Sequence, residues 1–138
     1  MALVEVYDGD LVEDSQLANI STLGFVGDAD DVLIGGFVVG NGSANVVVRA
    51  IGPTLAQSGV VNPIDDPTLE LHDANGGVTT NDDWQTGANH DSIPVSLQPQ
   101  DGRESAIHAS PPAGSYTAIV RGKAGATGAA LVEAYNLP

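Results

Sequence analysis

Cysteine is absent, so the chain has no disulfide framework, no thiolate nucleophile and no cysteine-based metal centre. Basic residues are nearly absent too: four Lys and Arg stand against eighteen Asp and Glu, a formal charge of −14 over 138 residues. A surface of that sign repels phosphate backbones and the anionic face of a membrane, which argues against nucleic acid as a partner. It also requires any self-association to overcome like-charge repulsion or to have it screened. No run reaches the about 18 apolar residues of a membrane-crossing helix. The N-terminus MALVEVYDGD lacks the basic and long apolar regions of a leader peptide. The expectation is a soluble chain with no membrane insertion.

Helical periodicity is also missing. Short runs rich in Val, Ile and Leu are separated by Gly, Asn, Asp and Pro clusters, the pattern of β-strands and turns. Strands are expected at 2–8, 16–26, 31–39, 44–51, 67–72, 77–81, 104–109, 115–122 and 128–136. This predicts an all-β fold, an antiparallel, jelly-roll-like β-sandwich of about eight or nine strands. Residues 16–138 form the sandwich, and residues 1–15 form an N-terminal donor-like strand and linker. Asn41-Gly42 and Asn75-Gly76 each suit a tight hairpin. Pro53 and Gly59 frame one short helical turn, and residues 85–103 read as a long surface loop. The core is expected to draw on Ile20, Phe25, Leu33, Phe37, Val46, Val48, Leu69, Leu71, Ile107, Tyr116, Ile119, Leu131 and Tyr135.

Chemistry-bearing residues are mostly aspartates at strand ends. Asp8 and Asp10, Asp28, Asp30 and Asp31, Asp65 and Asp66, and Asp82 and Asp83 form the groups, and converging loops of this kind can offer oxygen ligands to Ca²⁺, with Asp28, Asp30, Asp31, Asp82 and Asp83 the candidate set. Aspartate is also an ordinary turn former, and none of these runs has the spacing of an EF-hand loop. His72, His90 and His108 stand on separate segments with no HxH or HExxH spacing, and no GxSxG elbow is present. An enzyme is therefore not expected. Trp84 can plug the sandwich rim or stack on a sugar ring. Arg49, a lone cation in the apolar run NVVVRAI, requires a carboxylate or carbonyl partner.

The stretches LANISTLGFVGDADDVLIGGFVVGNG, VVVRAIGPTL, DPTLELHDANGGVTTNDDW and ESAIHASPPAGSYTAIVRGKAGATGAALVEAYNLP together resemble a bacterial extracellular β-module. Such modules stand in tandem in large secreted proteins of planctomycetes and verrucomicrobia, and the resemblance covers residues 16–138. The second half is also similar to the bacterial pre-peptidase C-terminal domain, a β-sandwich appended to secreted enzymes. The resemblance implies an exported, non-catalytic module at the cell surface or outside the cell. Some such domains bind calcium, but the resemblance transfers no ligand set.

One repeat stands out from this pattern. ALVEVYD at 2–8 and ALVEAYN at 130–136 are identical at five of seven positions. Modules of this kind end in LVEVY-like strands, so residues 2–8 look like the terminal strand of a preceding module. Ala2, Val4 and Val6 share one face, with Leu3, Glu5 and Tyr7 opposite; Ala130, Val132 and Ala134 likewise lie opposite Leu131, Glu133 and Tyr135. One sheet position can take only one of the two strands. The other can lie beside its twin or enter a second molecule by strand addition. Donation predicts a head-to-tail homopolymer, a filament subunit or tandem-array link, with Ala2 to Tyr7 and Leu131, Val132, Glu133 and Tyr135 in the contact. The alternative is a calcium-dependent carbohydrate- or surface-binding sandwich, with polysaccharide or a cell surface as partner.

Overall fold

The computed structural model describes Glu5, residues 19–40 and residues 44–138. Eight strands occupy them: β1 (Asn19–Val26), β2 (Leu33–Val39), β3 (Val46–Ile51), β4 (Pro67–Asp73), β5 (Val78–Asn81), β6 (Ser105–Ala109), β7 (Gly114–Gly122) and β8 (Gly128–Asn136). They pair antiparallel into two sheets of order β1-β8-β3-β6 and β2-β7-β4-β5. The fold is thus an all-β sandwich with jelly-roll strand order, closed by the apolar faces of the two sheets. Its helical segments, among the described residues, are short 3₁₀ turns; the longest, Pro53–Ser58, starts on proline and ends on left-handed Gly59.

Turn chemistry alone misjudged one connection. Around Asn75-Gly76 the hairpin forms: Asp73 Oδ1 accepts from the N–H groups of Asn75 and Gly77, each at 2.8 Å, and Gly76 has φ +86°. Residues 41–43 lie outside the described residues, but the strands they join do not pair. β2 belongs to one sheet and β3 to the other, so these two strands are joined across the sandwich and not as a paired hairpin. Both arrangements need the same chain reversal, and only pairing partners remote in sequence distinguish them.

Alternation decides the main core. Val48, Leu69, Val120 and Ala130 are fully buried, with Leu33, Leu71, Ile107 and Tyr116 around them. Phe25 is not among them: it lies on edge strand β1 opposite Ala129, faces outward and is 62% exposed. Ile119 also faces outward, because its neighbours Ala118 and Val120 point inward, and Leu131 lies opposite the core face of Ala130 and Val132. Phe37 is half-buried and stacks on Tyr116 with ring centroids 5.4 Å apart. Ile20 is likewise only half-buried.

The segment read as a surface loop is a cover. Three 3₁₀ turns, at Trp84–Thr86, His90–Ser92 and Val95–Leu97, lie over the outer face of the β1-β8-β3-β6 sheet. Ile93 packs there against Val47 and Ala106, with Trp84, Leu97 and Tyr135 around them. Both faces of β3 are consequently buried, which is why VVVRAI reads as a continuous apolar run.

Candidate functional site

The C-terminal copy of the repeat is β8, an interior strand. It pairs with β1 from Gly128 to Tyr135 and with β3 from Leu131 to Asn136. Val132 points into the core and is 4% exposed. On the other face Glu133 directly faces Arg49 across the β3–β8 pair. Arg49 donates through Nε to Glu133 Oε2 at 2.8 Å, adds an Nη2 contact to the same oxygen, and donates through Nη1 to the Leu97 carbonyl at 3.0 Å. Tyr135 closes the group: its hydroxyl donates to Glu133 Oε1 at 3.0 Å, and the Arg49 guanidinium lies 5.2 Å from its ring centroid. Ser21 on β1 donates to Glu133 Oε1 at 3.2 Å. The conserved letters within this chain's own repeat thus acquire roles. Small apolar residues fill the core face, Glu partners an arginine, and Tyr covers it.

Of the N-terminal copy, Glu5 is exposed; Ala2, Leu3, Val4, Val6 and Tyr7 lie outside the described residues. Beside β8, β1 is the outermost strand of its sheet among the described residues and exposes Leu23 (56%) and Phe25 (62%) on its outer face. Next to this face a cleft of about 270 Å³ opens between Pro53–Ser58 and the cover, lined by Arg49, Ile51, Thr54, Glu104 and Leu131 among others.

The aspartates occupy one rim. Leu33, Val120, Leu69 and Asn81 form a single cross-strand row, so residues before Leu33 and after Asn81 leave the sheet at the same end. Asp28, Asp30 and Asp31 are exposed in the β1–β2 turn at one corner. Asp82 and Asp83 stand three strand spacings away, about 14 Å. The two groups therefore do not form one site. Asp66, just before β4, joins the second group instead: carboxylate oxygens of Asp66, Asp82 and Asp83 all lie within 4.8 Å of one another.

Lys123, in the turn after β7, lies 2.8 Å from Asp82 Oδ2 and 3.7 Å from Asp66 Oδ2. Oδ1 of both aspartates is buried without a hydrogen-bond partner. Burial raises the Asp66 carboxyl above its ordinary value, opposed by Lys123 and reinforced by Asp82 and Asp83. The Ser105 hydroxyl lies 2.8 Å from both the Pro67 and the Asp82 carbonyls and 3.0 Å from that of Asn81, which brings the ends of β4 and β5 together. Asp65-Asp66 was visible as a strand-end pair, but nothing local joined it to Asp82 and Asp83, and Ser105 carried no local signal.

Trp84 lies in the cover on the outer face of the β1-β8-β3-β6 sheet. Its ring packs on the Val47–Ile93–Ala106 cluster and meets His90 edge-on at 6.4 Å. The histidines are engaged separately, His72 with Glu70 at 2.8 Å, His90 with the Gly87 carbonyl at 2.9 Å and His108 with Asn45 at 2.7 Å. Among the described residues no helix is long and apolar enough to cross a membrane.

No family model and no curated protein matches the chain. Among solved structures it is similar to the 1.0 Å crystal structure of the pre-peptidase C-terminal domain of a collagenase from Bacillus anthracis. The TM-score is 0.54 at 12% identity, over 85% of this chain and 89% of that one. At that identity the likeness is one of fold alone, a β-sandwich shared with that domain.

Proposed function

We propose that this chain is a non-enzymatic extracellular structural protein that associates head to tail with copies of itself through β-strand contacts, as a filament subunit or a tandem-array link. The occupancy of β8 carries the reading. One of the two ALVE-Y segments fills an interior position with β1 on one side and β3 on the other. Both positions beside β8 are thus taken by described strands, and a second apolar segment of the same pattern is a ready strand for pairing with another chain. Deleting residues 1–8 should leave a folded monomer with an unchanged melting temperature that no longer assembles. Sedimentation and electron microscopy of intact and truncated chains provide the check. Assembly that survives the deletion, or a truncated chain that unfolds early without losing assembly, overturns the reading. Because the chain carries −14, assembly of the intact protein should strengthen as added salt shortens the Debye length from about 30 Å at 0.01 M to about 8 Å at 0.15 M.

A second reading, a calcium-dependent surface- or carbohydrate-binding module, is favoured by the Asp66–Asp82–Asp83 cluster with its two unpartnered buried oxygens. Lys123 neutralises part of that charge and leaves an oxygen set that a hard cation can use. Millimolar Ca²⁺ should then raise the melting temperature by linkage, and Mg²⁺ at equal ionic strength should not. The raised Asp66 carboxyl binds its proton more tightly folded than unfolded, so its ionised form detracts from stability at neutral pH. That stability returns as pH falls through the raised value. Asp66→Asn should accordingly raise the melting temperature at pH 7 without divalent ions and remove any response to Ca²⁺. Equal effects of Ca²⁺ and Mg²⁺ would leave the aspartates as turn and surface residues.

A further inference from the structure

We infer that the acceptor is the edge that β1 presents among the described residues and its occupant residues 2–8 of a second copy, which rests on the strand-donation reading above. The β8 position itself gains nothing from exchange. It is already paired on both sides by its own chain, and replacing one ALVE-Y strand with another repeats the same contacts and releases an equivalent strand. Net attraction requires a new ladder on an open edge.

Four strands offer an edge among the described residues: β1, β6, β2 and β5. The β6 backbone beyond its sheet is partly taken, since the Ala106 N–H donates to Asn81 Oδ1 at 3.0 Å. β5 has four residues, and β2 carries Gly35-Gly36 at its centre, which weakens a ladder. β1 is eight residues long and has none of the charges or prolines with which edges are normally blocked. Its Leu23 and Phe25, two residues apart on the outer face, are open to a cross-strand partner. A strand that alternates Leu3, Glu5 and Tyr7 with Ala2, Val4 and Val6 supplies one. Leu3 and Tyr7 can cover Leu23 and Phe25, and the small face extends the inner layer of the sandwich. The uncharged edge also spares the acidic donor a like-charge contact. The intervening residues 9–18 carry Asp10, Glu13 and Asp14, and a like-charged linker resists the reversal that pairing with the chain's own β1 requires.

Because the chain has no cysteine, disulfide trapping can read this contact directly. Leu3→Cys chains mixed with Leu23→Cys chains should give a mixed disulfide dimer several-fold above that of Leu3→Cys with Val78→Cys, an exposed position on β5. A yield no higher than that control, or a doubly substituted chain that closes only an internal disulfide at high dilution, overturns the inference. The pair Leu23→Lys and Phe25→Lys changes only exposed side chains, so the melting temperature should hold while association weakens by at least about tenfold. If deletion of residues 1–8 abolishes assembly but the lysine pair does not, β1 is not the acceptor and donation still stands. If the deletion itself leaves assembly intact, both fall together.

Discussion

Replacing Glu133 with alanine should destabilise the fold by about 3 kcal/mol, the lower end of the range for breaking a buried ion pair. The estimate follows from what the substitution leaves behind. Arg49 and Glu133 retain only 15% and 8% of their side-chain exposure. Without the carboxylate the guanidinium keeps the Leu97 carbonyl and the Tyr135 ring, neither of which carries a compensating charge. The Tyr135 hydroxyl and Ser21 Oγ lose an acceptor at the same time. Urea unfolding measures the loss, and the double replacement Arg49→Met with Glu133→Leu should recover much of it, because no unpaired charge then remains buried. A single substitution that costs as little as a surface pair, below about 1 kcal/mol, would mean that water reaches the guanidinium through the neighbouring cleft.

Glu104→Ala should be comparably costly for a different reason. This residue is fully buried, and its carboxylate accepts from the N–H groups of Thr54 at 2.9 Å, Gly52 at 3.2 Å and Asp101 at 3.4 Å. It ties the 3₁₀ turn after β3 to the end of the cover. Alanine leaves at least two buried donors unmade at about 1–3 kcal/mol each, together with a cavity, so a loss of about 3 kcal/mol is expected. Glu104→Gln keeps one oxygen that can accept from both Gly52 and Thr54 and should lose far less. Equal losses for the two substitutions would show that the charge matters and not the hydrogen bonds. Hydrogen exchange at Thr54 locates the effect, since its amide should lose protection in Glu104→Ala before the sheets do.

Sequence and structure diverge most clearly at β1 and at the cover. From sequence, Phe25 is expected inside as an aromatic residue in a strand-like run. Its exposure follows from the pairing Phe25↔Ala129, a contact between residues more than a hundred positions apart. The cover shows the converse. Residues 85–103 are polar and weakly periodic, so nothing local marks Ile93 as buried, yet it is 2% exposed because the opposite surface, Val47 and Ala106, comes from two other strands. The acidic rim behaves likewise. Asp65-Asp66 and Asp82-Asp83 were each visible as a pair, but Asp66 joins Asp82 and Asp83 only because β4 lies beside β5 in the sheet.

The sequence by itself determined the strand-and-turn grammar. Eight of the nine expected strands lie among the described residues, each within a few residues of its expected bounds, because period-two alternation between Gly, Asn and Pro breaks is a local property of the backbone. It also determined that Arg49 needed a partner, since a cation in an apolar strand cannot be left unpaired. Tertiary structure alone decided that the partner is Glu133, that the C-terminal ALVE-Y copy is an interior strand, and that β1 is the outermost strand of its sheet among the described residues. These are statements about which strands become neighbours. In a jelly roll most neighbours are remote along the chain, and their pairing is set by the joint burial of two sheets, which no local run of residues encodes.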